Sequence, residues 1–153
     1  MLKTHLLLPL LLCQALLGCS DKEESVPQPS TPNQLLSSQK WQVRSIILSS
    51  SNQPTVDLYA LVRSCSRDDY VEFSKPNTYQ VDEGVAKCSP ADPQTRLGVW
   101  SLDSNDTQLT VALNGFTTIY RVEELTLTSL KITTTRVQSN GVPATQTNIY
   151  EAL

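Results

Sequence analysis

Histidine is almost missing from this chain of 153 residues: the one copy, His5, lies in an apolar N-terminal run. The rest of the sequence has no imidazole. That excludes hydrolysis by a serine or cysteine activated by a histidine base, and zinc sites with a histidine ligand. Glycine is scarce too, at five residues, and none forms a phosphate-cradling loop. Basic runs are absent. Residues 35–153 carry ten Lys and Arg against twelve Asp and Glu, for a net charge of −2. Binding nucleic acid by neutralising phosphates is therefore not expected. Beyond the N-terminal run, no apolar stretch reaches the length of a membrane span. No acidic segment has the spaced Asp/Asn pattern of an EF-hand loop, and neither a metal nor a cofactor is expected.

What is present starts at the N-terminus. Lys3 and His5 give a short basic start, residues 6–17 an apolar core broken by Pro9 and Gln14, and Gly18 a small residue before Cys19. This is the layout of a signal peptide. It is shorter than the roughly 20 apolar residues of a transmembrane helix. Leu16-Leu17-Gly18-Cys19 resembles the lipobox of bacterial lipoproteins, where a signal peptidase cuts ahead of a cysteine that then carries lipid. The resemblance implies that residues 1–18 are removed and that Cys19 anchors the protein in a membrane, since two or more acyl chains hold a protein durably. A plain secretory signal is the alternative. Ser20-Asp21-Lys22-Glu23-Glu24 resembles the export signal of Bacteroidota lipoproteins, which directs them to the outer face of the outer membrane. A solvated linker is the bland reading of the same residues. The expected location is the outer membrane, at the cell surface or otherwise on the periplasmic face.

Residues 19–34 are rich in Ser, Gln and acids, with Pro27, Pro29 and Pro32. Such a stretch cannot bury enough apolar surface to fold, and reads as a stiff tether. Residues 35–153 then make one domain able to bury a single core. Cys13 falls in the segment expected to be removed and Cys19 takes the lipid, which leaves Cys65 and Cys88. An even pair in an exported protein favours a disulfide over two buried thiols. Closing that loop of 24 residues is worth roughly 3–4 kcal/mol in the chain-entropy model.

The domain reads as strand after strand. Residues 40–49 alternate around Trp41 and Val43, then become apolar at Ile46-Ile47-Leu48. Residues 57–63 put Leu58, Leu61 and Val62 at helical spacing, so a short helical turn is expected there. Strands follow at 70–73, 78–81 and 97–102, with a loop over 85–95 that holds Cys88, Pro90 and Pro93. Leu109, Val111 and Leu113 alternate up to Asn114-Gly115, the strongest short hairpin signal, because both turn residues need positive φ. A two-residue turn pairs Leu113 with Phe116, Val111 with Thr118 and Leu109 with Tyr120. The buried face should then hold Leu109, Val111, Leu113, Phe116, Tyr120 and Val122, with Ile119 and Arg121 outside. Strands at 130–137 and 144–152 close the chain. About eight sequential strands with tight turns predict an all-β antiparallel meander, closed as a barrel or folded as a sandwich.

Several motifs stand in order along this meander. They are Lys40-Trp41-Gln42-Val43, the run Cys65-Ser66-Arg67-Asp68-Asp69-Tyr70-Val71-Glu72-Phe73, Thr78-Tyr79, Asp82-Glu83-Gly84, Cys88 and Gly98-Val99-Trp100-Ser101-Leu102. Together they resemble the lipocalin-like domain of Bacteroidota lipoproteins, over essentially all of residues 35–153. The resemblance implies a small eight-stranded up-and-down barrel of the calycin type, a Cys65–Cys88 pair, and Trp41 at the closed end. Lipocalins usually carry Gly two residues before that Trp, where this chain has Gln39.

The chemistry on offer is limited. Asp68-Asp69, Asp82-Glu83 and Glu123-Glu124 lie at strand ends or turns, where acids are common because they solvate well. Asn105-Asp106-Thr107 fits a glycosylation pattern but reads as a turn. An enzyme is not expected. Tyr79, Trp100, Phe116, Tyr120 and Tyr150 are the candidate lining of a ligand cup. An eight-stranded barrel is just wide enough to be packed by its own side chains or to hold one small ligand, and the short strands favour a packed or shallow interior. Two functions follow as expectations. One is a membrane-anchored lipoprotein that binds a small apolar or amphipathic ligand. The other is a tethered module that contacts another envelope protein through loops such as 84–96.

Overall fold

The computed structural model describes residues 29–153. The signal segment, Cys19 and the start of the tether lie outside the described residues. Nine strands follow one short helix: α1 (Pro32–Ser37), β1 (Lys40–Ser50), β2 (Gln53–Asp57), β3 (Tyr70–Ser74), β4 (Thr78–Asp82), β5 (Thr95–Leu102), β6 (Gln108–Leu113), β7 (Phe116–Leu125), β8 (Ser129–Val137) and β9 (Pro143–Ala152). Every pairing is antiparallel. The order β1-β3-β4-β5-β6-β7-β8-β9 closes through β1 against β9. That closes an eight-stranded barrel, as expected. β2 is the addition: an exposed arm paired with the far half of β1. The helical spacing at 57–63 appears as a 3₁₀ turn, Leu58–Leu61, capped by the Asp57 carboxylate.

The Asn-Gly hairpin forms as its sequence dictates. Asn114 and Gly115 have φ of 52° and 79°, and Leu113, Val111 and Leu109 face Phe116, Thr118 and Tyr120. Leu109 and Val111 are buried, while Ile119 and Arg121 point outward and are exposed. Phe116 departs from expectation. It shares the inner register but is 80 % exposed, because it is the first residue after the turn and stands on the barrel rim.

The two ends of the barrel differ. At one end the strands start or finish beside α1, and Leu36, Trp41, Phe73, Trp100, Leu109, Leu130 and Ile132 pack into one buried cluster. Burial of this apolar surface is the main force that closes the fold. α1 occupies the last residues of the stretch read as tether. Thr31 caps it with a reciprocal bond pair to Gln34, and Pro32 starts its first turn. Leu36 drops from the helix into the barrel end, 1 % exposed. The opposite end carries the Asn114-Gly115 turn, the loop after β8 and the loop after β4, and among the described residues there is no second α-helix to plug it.

Two seams shape the wall. β1 and β3 pair only at residues 40–42 and 70–72; beyond them β1 stays on β9 and takes up β2 from Ile47 on its other side. β7 and β8 pair only over residues 121–125 and 130–133, so 116–120 and 134–137 part toward the open end. A bulge between Val43 and Ser45 shifts the β1 register against β9. Its effect is to turn Val43 and Ile46, three residues apart, to the same side.

Cys65 and Cys88 are bonded. The bridge ties the segment before β3 to the loop after β4. Asp68 reinforces the tie by accepting from the amides of Val85 and Ala86 at 2.7 and 2.8 Å. Gly84 makes this closeness possible: it has φ +60°, and a Cβ there would stand 2.6 Å from the Asp68 carbonyl oxygen. We expect replacing both cysteines by serine to cost about 3 kcal/mol of folding stability in urea titration, as closure of a loop of this length predicts. Unchanged stability would show that the loop is held by its hydrogen bonds alone.

Candidate functional site

The hollows inside the barrel lie above the Trp41 floor. One, of about 310 Å³, is lined by Tyr79, Val111, Leu113, Asn114, Phe116, Thr118 and Tyr120. It belongs to β4, β6 and β7 and opens at the Asn114-Gly115 end. The second, of about 170 Å³, is lined by Trp41, Val43, Ile46, Asp69, Tyr70, Val71, Gln146, Asn148 and Tyr150. It belongs to β1, β3 and β9 and follows from the β1–β3 seam and the β1 bulge. The interior is thus not fully packed: it keeps these two hollows. Wider hollows on the outside, beside α1 and along the β7–β8 seam, are open and lined mostly by hydroxyl, amide and charged side chains.

The expected aromatic lining divides. Tyr79, Phe116 and Tyr120 come together in the first lobe, and Tyr150 lines the second. Trp100 lines neither. It is 4 % exposed, its ring packs edge-on to Phe73 at 5.6 Å, and its indole N–H donates to the Ser74 carbonyl at 3.1 Å. Trp100 is floor. At Gly98, two residues earlier, β6 leaves no room for a side chain: a Cβ there would overlap the Ala112 carbonyl oxygen.

The tyrosines join the two lobes. Burial pushes the Tyr150 hydroxyl well above the usual phenol range, and neighbouring Tyr79 and Tyr120 push it further. Burial does the same to Tyr79, with Tyr120 adding and Arg96 opposing. The phenols of Tyr79 and Tyr150 therefore lie in one desolvated layer across the barrel, with Tyr120 beside them. On β9, Asn148 is 6 % exposed and accepts from the Gln146 side chain at 2.8 Å.

Sequence reasoning overlooked Asp69, Gln146 and Asn148 as lining residues. The alternation of β9 around Tyr150 was the available signal for Asn148 and Gln146, since residues two apart share a face. Asp69 shows none. The acid pairs also do more than solvate. Asp82 is buried, and its Oδ1 accepts from the Gly84 amide and the Gln94 side chain, both at 2.9 Å. Asp69 is held above the usual carboxylate range by burial first, then by Glu83 and Asp68. Glu123, by contrast, is a surface residue paired with Arg121 at 3.4 Å.

These features can be set beside known proteins. The sealed floor, the single closed meander and the interior hollow define the architecture. The fold is lipocalin-like. No family model matches the chain, and no curated protein does. Among solved structures, a lipocalin-like protein from Bacteroides uniformis is similar at 14 % identity and TM-score 0.48, over 78 % of this chain and 99 % of that one. A bovine odorant-binding protein in complex with a selenium-containing odorant is similar at 13 % identity and TM-score 0.45, over 86 % and 77 %. A deswapped triple mutant of the bovine odorant-binding protein gives 13 % and 0.42, over 78 % and 74 %.

The phenol layer has a consequence for stability in alkali. Tyr79 and Tyr150 bind their protons more tightly folded than unfolded, where the ordinary value is 10.0. Their contribution is complete below pH 10 and is lost as pH rises further. We expect the urea midpoint to fall between pH 9 and pH 11.5, with tyrosinate absorbance reaching full amplitude only on unfolding. Full ionisation at pH 11.5 in a protein with native circular dichroism would contradict a buried phenol layer.

Proposed function

We propose that this protein is a lipid-anchored lipoprotein of the outer membrane, displayed at the cell surface, whose barrel binds a small apolar or amphipathic ligand without catalysis. The observation that carries the binding half is the interior hollow: a floor sealed by Leu36 and Trp41, and above it two lobes lined by aromatic and aliphatic side chains with a few polar groups. Such a lining is the usual composition of a small-molecule site. The odorant complex of the bovine odorant-binding protein is in keeping with this reading. The anchoring half rests on Leu16-Leu17-Gly18-Cys19 and the acidic run after it.

A second reading, contact with another envelope protein, has one specific observation in its favour. Val85 and Leu61 are 97 % and 79 % exposed, and both belong to the segments joined near the disulfide.

The binding half is tested by native mass spectrometry and solvent extraction of protein purified from its own membrane. The wild type should carry a small molecule in stoichiometric amount. Val111→Trp, which fills the first lobe, should release it while keeping the strand content of the wild type. An empty wild type that also takes up no octanol would count against the cup. In the same cells, labelled palmitate should be incorporated into the wild type and not into Cys19→Ser. A wild type that takes up no label would reject the anchor.

A further inference from the structure

We infer that the mouth rim over β5–β8, at the end that carries the Asn114-Gly115 turn, is a docking surface for a lipid bilayer with anionic head groups. The barrel then rests mouth-down on the membrane that holds it. This rests on the anchoring reading above for its membrane and adds the face that meets it.

The outward register of these strands is apolar near the mouth. Leu97 and Val99 on β5, Ile119 on β7 and Val137 on β8 alternate with inward residues, and Phe116 stands on the rim beside them. Each of the five is more than half exposed. The ladders set them side by side: Val99 pairs with Ala112, and Ala112 with Thr117, the neighbour of Phe116. Beyond Arg121 and Thr133 the β7–β8 pairing stops, and Phe116, Ile119 and Arg136 line a hollow of about 570 Å³ in the gap. Exposed apolar residues scattered singly are ordinary, but a contiguous group of them marks a contact surface.

The charge on this face has one sign. From β5 to β9 the acids are Asp103, Asp106, Glu123, Glu124 and Glu151, all in the floor half. The mouth half carries Arg96 and Arg136, both exposed. Ion pairs among the described residues are Arg44 with Glu151 and Arg121 with Glu123, so neither rim arginine is neutralised by one. Lys87 and Asp92 in the loop after β4 cancel. An apolar patch edged by guanidinium groups matches an anionic bilayer: the apolar side chains enter the head-group boundary and the arginines meet the phosphates. Two copies meeting symmetrically on this face would set like charges together, which disfavours a second copy. The tether permits the orientation. It joins the fold at α1, on the floor. Ten residue steps separate Cys19 from Pro29, at most about 35 Å of chain. A wall of strands the length of β7, ten residues, tilted by roughly 40°, is about 25 Å tall.

Fluorescence of the purified mature protein in vesicles of acyl-brominated phosphatidylcholine, with and without phosphatidylglycerol, tests the inference. Phe116→Trp and Val137→Trp each add an indole on the rim; Asn105→Trp adds one in the floor turn between β5 and β6. Wild-type emission is subtracted. With phosphatidylglycerol, the emission added on the rim should be quenched and that added at position 105 should not. Leaving out phosphatidylglycerol, or combining Arg96→Gln with Arg136→Gln, should lower the quenched-to-unquenched ratio about tenfold, as the loss of two charges at the surface predicts. Rim emission quenched no more than that at position 105, in protein that sediments with the vesicles, would overturn the inference while the anchor stands. Equal quenching with and without phosphatidylglycerol would also overturn it. So would rim indoles already shielded in a dimer before vesicles are added, which would give the face to a second copy. Rim quenching in protein found to carry no lipid would sink the anchor and keep the docking surface. Two rim variants keep the test decisive if one fails to fold.

Discussion

Trp41 has no solvent exposure, and its indole N–H donates to the Leu36 carbonyl at 2.9 Å. An indole buried this deeply needs a partner for its N–H, and the last carbonyls of a helix need partners of their own. One bond satisfies both requirements. It fixes α1 across one end of the barrel and drops Leu36 onto the Phe73 and Trp100 layer. The other features depend on that seal. The strands close into a cylinder whichever end is plugged, but a cylinder plugged at one end is a cup. The mouth, the phenol layer and the two lobes take their meaning from that asymmetry.

Above the floor the barrel gives up packing. The β1 bulge, the short β1–β3 ladder and the β7–β8 seam each remove wall contacts that a regular barrel would keep. Asp69 and Glu83 keep buried oxygens without donors. These departures gather in the half of the barrel away from Trp41, while the floor half is apolar and its two indoles are hydrogen-bonded. Loss of local consistency in one region of an otherwise consistent fold is characteristic of functional sites. The disulfide and the Asp68 bonds to the 85–86 amides hold the loops that frame that region.

What could be read from the sequence was whatever local physics decides. Asn114-Gly115 specifies its turn, and a two-residue turn specifies its register, so the β6–β7 pairs were fixed before any tertiary contact. The two cysteines of the domain were read as a pair, and they are bonded. The lipocalin-like order of motifs around Trp41 and Trp100 gave the barrel. What was hidden is what emerges from the closure of the cylinder. Whether Phe116 is core or rim depends on where the barrel ends, which no alternation encodes. The bulge that turns Val43 and Ile46 inward has no signature in Val43-Arg44-Ser45-Ile46. α1 did have one, Thr31-Pro32-Asn33-Gln34, a capping box with proline at the first position, but it is camouflaged by the polar, proline-rich run before it. Asp69 looked like a loop acid because its neighbour Asp68 is one; only the fold separates their surroundings.

The central claim, a cup open above a sealed tryptophan floor, can be read from the intrinsic fluorescence of the protein. The chain has two tryptophans, and both belong to the floor. Quenching by 8-bromooctanol, whose tail can enter the lobes, should saturate as a binding curve, while iodide at up to 0.5 M concentrations, on the order of ordinary screening salt, should leave the emission nearly unchanged. Strong iodide quenching, or bromooctanol quenching that rises linearly without saturation, would contradict a sealed floor beneath an open cup.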